Sequence, residues 1–163
     1  MENARPRLRP VTDDDVDDVL ALNERNVTAL APLTVDRLDL LRGWADRADV
    51  IDVAGRFAGF VLTMPPGTDY DSENYRWFTE RYADRFAYLD RIVLHEDFRR
   101  RGLGSFVYDA VEAHAAPYTR MVLEVNVMPR NEASLAFHAH RGYLEVGRLG
   151  DHLHQVSLME KPL

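Results

Sequence analysis

Hydrophobic positions change period several times along the chain, and each change marks an element. Arg7–Val11 reads as a short extended start. Val16, Val19, Leu20 and Asn23 then recur at helical spacing, behind a Thr12 cap with Asp15 three residues on, as a capping box requires. The acidic run Asp13–Asp15 suits the positive end of that helix. A second helix is expected after Thr34, with Leu38, Leu41 and Ala45 on one face. Val50–Ala54 and Arg56–Met64 read as two strands joined by a tight turn at Gly55, and Pro65-Pro66-Gly67 ends the second. Ser72 is placed to cap a short helix whose Tyr75, Phe78, Thr79 and Tyr82 share a face. Phe86–Leu94 is the next strand. Leu103, Phe106, Val107, Ala110 and Val111 return to helical spacing, closed by Pro117. Arg120–Val127 alternates as a half-buried strand, Asn131–Arg141 reads as a helix ended by Gly142, and Tyr143–Leu149 with His152–Met159 form a last pair of strands. This order implies an α/β (α+β) fold with a mixed sheet, built as one domain over residues 1–163.

Composition narrows the class. The 163 residues, 46% of them hydrophobic, can bury a proper core. No apolar run approaches the ~20 residues of a membrane span, so no membrane association is expected. Met1–Pro10 lacks the apolar stretch of a secretion signal, which points to the cytoplasm. With no cysteine, disulfides, thiolate metal sites and a cysteine nucleophile are excluded. A net charge of −7 argues against broad nucleic-acid binding. The same charge fits a cationic substrate, but solubility explains it as well. Of the six histidines, His138 and His140 fall on different faces of one helix. His152 and His154 could share a strand face, yet no carboxylate cluster completes a site, so no metal is expected.

The strongest chemical signal is Arg99-Arg100-Arg101-Gly102-Leu103-Gly104, which follows a strand and opens a helix. Glycines let a ligand approach the backbone, and free N–H groups at a helix start attract anions. Three adjacent arginines add charge-assisted contacts to phosphate oxygens. The run is no Walker A loop, since no Gly-Lys-Ser/Thr follows. The dinucleotide fingerprint would need another glycine where Val107 stands. A basic run can also be plain solvated surface, but the strand–glycine–helix context favours a pyrophosphate.

Ile92 to Gly104 resembles the acetyl-CoA signature of the GNAT (Gcn5-related N-acetyltransferase) superfamily, with Arg99, Gly102 and Gly104 in its defining positions. The stretch from Asn131 through Phe137 and His138 to Gly142-Tyr143 is similar to that family's later motif, and Glu124 and Val125 lie on the preceding strand as the family has it. The resemblance implies a splayed mixed sheet and acetyl-CoA as cosubstrate. It implies that the backbone of Ile92, Val93 and Leu94 pairs with the pantetheine arm. The N–H groups of Arg99, Arg100, Arg101, Gly102, Leu103, Gly104 and Ser105 would hold the pyrophosphate. Asn131, Ser134 and Phe137, on the later motif, would border the same ligand. An amine attacking the thioester directly needs no acyl-enzyme, which agrees with the missing cysteine. The acceptor would be a small-molecule or peptide amine, and a homodimer is suggested only by analogy with the family.

Two departures bear on the chemistry. Where many members carry a tyrosine as acid, this chain has His138, which either protonates the leaving thiolate or merely packs beside the cofactor. For the base, Asp90 is a candidate on the cofactor strand, with an ion pair to Arg91 or Arg85 as the competing reading. Glu24 lies where the family builds its acceptor pocket, although an exposed helix end explains it too. The longer stretch Pro65–Arg85 carries Tyr70, Tyr75, Trp77, Phe78 and Tyr82. It is expected either to wall the acceptor site, with Tyr75 or Trp77 touching substrate, or to anchor a short helix in the core. Two functions follow: an N-acetyltransferase, or a CoA-binding sensor or interaction module with weak or no catalysis.

Overall fold

The computed structural model describes residues 5–27 and 30–163. Its elements run β1 (Pro6–Pro10), α1 (Val16–Glu24), α2 (Val35–Trp44), β2 (Arg47–Val53), β3 (Arg56–Met64), α3 (Glu73–Tyr82), β4 (Ala87–Leu94), α4 (Leu103–Ala115), β5 (Arg120–Met128), α5 (Glu132–His140), β6 (Leu144–Gly150) and β7 (Gln155–Pro162). Hydrogen-bonded neighbours follow the order β1-β2-β3-β4-β5-β7-β6. The β4–β5 ladder is parallel and the β1–β2, β2–β3, β5–β7 and β6–β7 ladders are antiparallel, so the sheet is mixed, as expected. The chain divides into two compact units, Met1–Pro65 with Leu89–Val111 and Pro66–Tyr88 with Glu112–Leu163.

In the first unit the hairpin forms where the sequence placed it. Ala54 and Gly55 both take positive φ, at 55° and 78°, and the Asp52 carboxylate accepts the Gly55 N–H at 2.8 Å. β3 is buried along nearly its whole length, and both α1 and α2 contact it. Val19, Leu22, Leu38 and Leu41 supply the helical side of this core, and Val50, Ile51, Phe60 and Leu62 the strand side. At the start of α1 the Asp15 carboxylate accepts the Thr12 N–H at 2.8 Å. The Arg9 fork bonds both Asp15 oxygens at 2.8 Å, and that hydrogen bonding is the main reason the Asp15 pKa falls to about 2. Gly59 of β3 has a packing reason: a Cβ there would stand 2.1 Å from the Val93 carbonyl oxygen of β4.

The second unit is built on aromatic rings. Tyr70, Tyr75, Phe78, Phe86 and Tyr88 are all buried, with edge-on contacts of 5.5 Å from Tyr75 to both Tyr70 and Phe86. The Thr68 N–H donates to the Tyr75 hydroxyl at 3.1 Å, which ties the preceding loop to α3. Strand boundaries differ from expectation at β2, which starts at Arg47 rather than Val50, and at β7, which runs Gln155–Pro162. His152 and His154 lie in a turn before β7, because the Asp151 carboxylate accepts the N–H of Leu153 at 2.8 Å and of His154 at 3.0 Å. Among the described residues no helix is long and apolar enough to cross a membrane.

Candidate active site

The first unit supplies a strand edge and a helix start. β4 pairs with β5 only at Ala87↔Met121 and Tyr88↔Val122. Further along, the Val93 carbonyl faces Gly59 and the His95 N–H donates to the Ala58 carbonyl at 2.8 Å, so both point toward β3. By alternation the backbone groups of Ile92 and Leu94 point the other way, away from β3. This refines the expected triplet: Ile92 and Leu94 offer hydrogen-bonding backbone to an extended ligand, while the carbonyl of Val93 faces its own sheet.

After β4 a 3-10 turn over Glu96–Phe98, unforeseen in the sequence, buries Phe98 and leads into the arginine run. Arg100 and Gly102 take left-handed φ of 62° and 73°. The Gly102 carbonyl accepts the Phe106 N–H at 3.2 Å, the first bond of α4. The N–H groups of Leu103, Gly104 and Ser105 therefore have no intrahelical acceptor. Glycine has no side chain to cap them, and among the described residues no other side chain does. A Cβ at Gly102 would meet nothing within 4 Å, so the space above the turn is open to a ligand. Arg99, Arg100 and Arg101 are exposed.

Asp90 is engaged. Its carboxylate accepts Arg91 Nε at 2.7 Å, and both side chains are at least nine-tenths buried. Arg91 also donates to the Asn23 amide oxygen and to the Ala31 carbonyl, each at 3.1 Å. The Arg91 pair is the competing reading the sequence offered for Asp90; its extension to Asn23 and Ala31 was not foreseen, although Asn23 at a core-facing helical position was its visible sign. Glu24, the last residue of α1, is exposed.

The second unit holds the later motif. Asn131 caps α5, its Oδ1 accepting the Ser134 N–H at 3.2 Å. Phe137 is half-buried, with the Arg141 guanidinium over its ring at 5.9 Å. His138 is 6% exposed. Its Nδ1 lies 2.7 Å from the Ser134 carbonyl oxygen, which can only accept, so Nδ1 carries the proton. In the neutral ring Nε2 is then an acceptor. Burial is the main cause lowering the His138 pKa below its ordinary 6.5; the Ser134 carbonyl opposes this, Arg141 adds to it and Glu112 opposes it. Tyr143 packs edge-on to His138 at 5.4 Å and donates its hydroxyl to buried Glu112 at 3.2 Å. Glu112 also accepts Arg141 at 3.0 Å and Lys161 at 2.9 Å, so the ring beside His138 is firmly held.

Of the insertion residues, Tyr75 is 2% exposed within the aromatic core and presents no wall to a substrate. Trp77 is half-buried, edge-on to Phe78 and beneath Arg81 at 5.4 Å. It lies against β6, where a Cβ at Gly147 would come within 2.6 Å of the indole. A carboxylate the sequence reading gave no role stands out here. Glu124 of β5 is half-buried and accepts the Tyr88 hydroxyl at 2.6 Å. Among the described residues no group of histidines and carboxylates is placed to hold a metal ion.

Residues 18–143 match the model of the Acetyltransferase (GNAT) family. No curated protein matches the chain. Among solved structures it is similar to Ard1 from Thermoplasma volcanium, with TM-score 0.75, 21% identity and 97% of each chain covered. It is also similar to the ribosomal-protein-S18-alanine N-acetyltransferase from Escherichia coli, with TM-score 0.67, 18% identity and coverage of 97% of this chain and 94% of that one. A third likeness is yncA from Salmonella typhimurium with its cofactor acetyl-CoA, at TM-score 0.70, 13% identity and coverage of 98% and 94%.

Proposed function

Since the chain belongs to the GNAT acetyltransferase family, we propose that it moves an acetyl group from acetyl-CoA to an amine by direct attack of the amine on the thioester. The observation that carries this reading is the glycine-capped start of α4: donors at Leu103, Gly104 and Ser105 with no acceptor among the described residues, open space over Gly102, and arginines on the same turn. These features fit a pyrophosphate. Ile92 and Leu94 fit the amide-bearing arm that follows it. When bound, acetyl-CoA supplies the activated thioester.

The remaining work falls to side chains. A base takes the proton of the ammonium acceptor. Asp90 is the proposed base, held in place by its ion pair with Arg91. Glu124 is the competing candidate, held in place by Tyr88. His138 is the proposed acid toward the leaving thiolate. Because its neutral form carries the proton on Nδ1, it must first gain one at Nε2 before it can donate there. Glu24 and Trp77 are proposed contacts for a small-molecule or peptide amine. Acetyl-CoA as donor fits a cytoplasmic protein.

The lowered His138 pKa also favours a second reading, a CoA-binding module with little or no turnover. Thiol release from acetyl-CoA across a panel of amines separates the two. Amine-dependent thiol release supports the transferase. Tight CoA binding with no turnover on any amine supports the module and overturns the transferase.

A further inference from the structure

Arg91 of β4 holds more than its ion pair with Asp90. Its side chain is 6% exposed. Nε donates to Asp90 at 2.7 Å, while Nη1 donates to the Asn23 amide oxygen and to the Ala31 carbonyl, each at 3.1 Å. Asn23 is 1% exposed and donates its own Nδ2 to the same Ala31 carbonyl at 3.0 Å. Asn26 begins the turn back from α1. Its Nδ2 donates to the Leu22 carbonyl at 2.8 Å, and its carbonyl accepts the Leu30 N–H at 3.0 Å. The connection from α1 to α2 is thus seated on β4 through the Ala31 carbonyl. Nearer solvent, Arg25 pairs with Glu96 at 3.1 Å and ties the same connection to the turn that follows β4. All of these residues lie in the first unit.

Packing alone does not require an arginine at this place. Leu89, Arg91 and Val93 alternate onto one face of β4, and all three are buried. Apolar side chains fill that face at 89 and 93, and a buried ion pair is often no more stabilising than an apolar group of similar volume. What the guanidinium adds is direction, because its planar fork holds its partners at set angles. The proposed cofactor path sets where that direction matters. The pyrophosphate lies at the first amides of α4, and the arm runs past Leu94 and Ile92. Two residues further along the strand, about 6.6 Å on at the usual rise, is Asp90. The thioester end therefore reaches Asp90 and Arg91, where the α1–α2 connection is seated.

We infer that Arg91 is a positioning residue for the acceptor. Acting through Asn23 and the Ala31 carbonyl, it holds the α1–α2 connection beside the thioester end of β4, as the wall against which the amine is oriented. This rests on the proposed function.

Steady-state kinetics on the full chain test it, with acetyl-CoA and the amine of the panel that wild type turns over fastest. The variants are Arg91→Lys and Asn23→Asp, each checked by a thermal melt and by CoA calorimetry. Lysine keeps a charge for Asp90 but has no fork to reach Asn23 and Ala31 as well. Aspartate at 23 matches asparagine in shape and still accepts from Arg91, but it has no donor for the Ala31 carbonyl. The expected result for both is an acceptor KM about tenfold higher, with kcat down by less than about threefold and CoA affinity within about twofold of wild type. If one variant fails to fold, the same result in the other supports the inference. An acceptor KM unchanged in a folded variant overturns it. So does a loss of CoA affinity as large as the rise in KM, which marks general damage to β4. A wild type that acetylates no amine of the panel overturns the proposed function and this inference with it, whereas wild-type turnover with an unmoved KM in the variants overturns this inference alone.

Discussion

The starts of α4 and α5 solve the same problem in opposite ways. Behind α5, Asn131 turns its own oxygen onto the Ser134 N–H at 3.2 Å. Thr34 does the same for Arg37 ahead of α2, and Ser72 for Tyr75 ahead of α3. A cap of this kind is worth about 1 kcal/mol. α4 forgoes it, starting behind Gly102 in a left-handed conformation with exposed arginines leading in. Among the described residues no side chain takes the first α4 donors, which leaves them open to an acceptor from outside. The difference separates a helix start capped by its own chain from the one proposed to take an anion.

The contrast breaks most severely at Gly102. A β-branched residue is strained at φ of 73° and would stand in the open space above the turn, so Gly102→Val should weaken CoA binding about a hundredfold in a calorimetric titration. A smaller effect is expected from Asn131→Ala, which should cost about 1 kcal/mol in urea unfolding. If that variant instead abolishes CoA binding at unchanged stability, α5 does more than cap itself.

The smallest effect is a slope. The folded-state pKa of His138 lies below 6.5, so the unfolded chain binds more protons as pH falls from about 6.5 toward the folded value. Stability contributed by the neutral ring is full above 6.5 and is lost through that window. His138→Gln should flatten the pH dependence of urea midpoints there, and an unchanged slope would show that another group carries it. The same variant should slow the chemical step at saturating acetyl-CoA if His138 is the acid.

Much of this was readable in the chain. The Gly55 turn needs positive φ, Thr34 and Ser72 precede their helices as caps do, and the Arg99–Gly104 run lies between strand and helix as read, whereas a 3-10 turn over Asp13–Asp15 separates Thr12 from α1. What escaped depends on partners far apart in sequence. Asn23 showed only as a polar residue on an apolar face, and its bond to Arg91 is a matter of tertiary packing. Phe98 is a single apolar residue among charges, too little pattern to reveal a buried 3-10 turn. His152 and His154 mimic strand alternation, but the Asp151 turn claims them. Tyr75 at helical spacing fits a core or a pocket wall equally, and only the rings around it decide for the core. The position of His138 was legible, whereas its protonation follows from burial and a carbonyl four residues back.

The central claim is that the first amides of α4 receive the diphosphate of coenzyme A. An amide-resolved NMR titration of the full chain with CoA tests it most directly. The account predicts saturable shifts that are largest at Leu103, Gly104 and Ser105. Saturation of the protein with those three amides unmoved, or no saturable change anywhere, would contradict it.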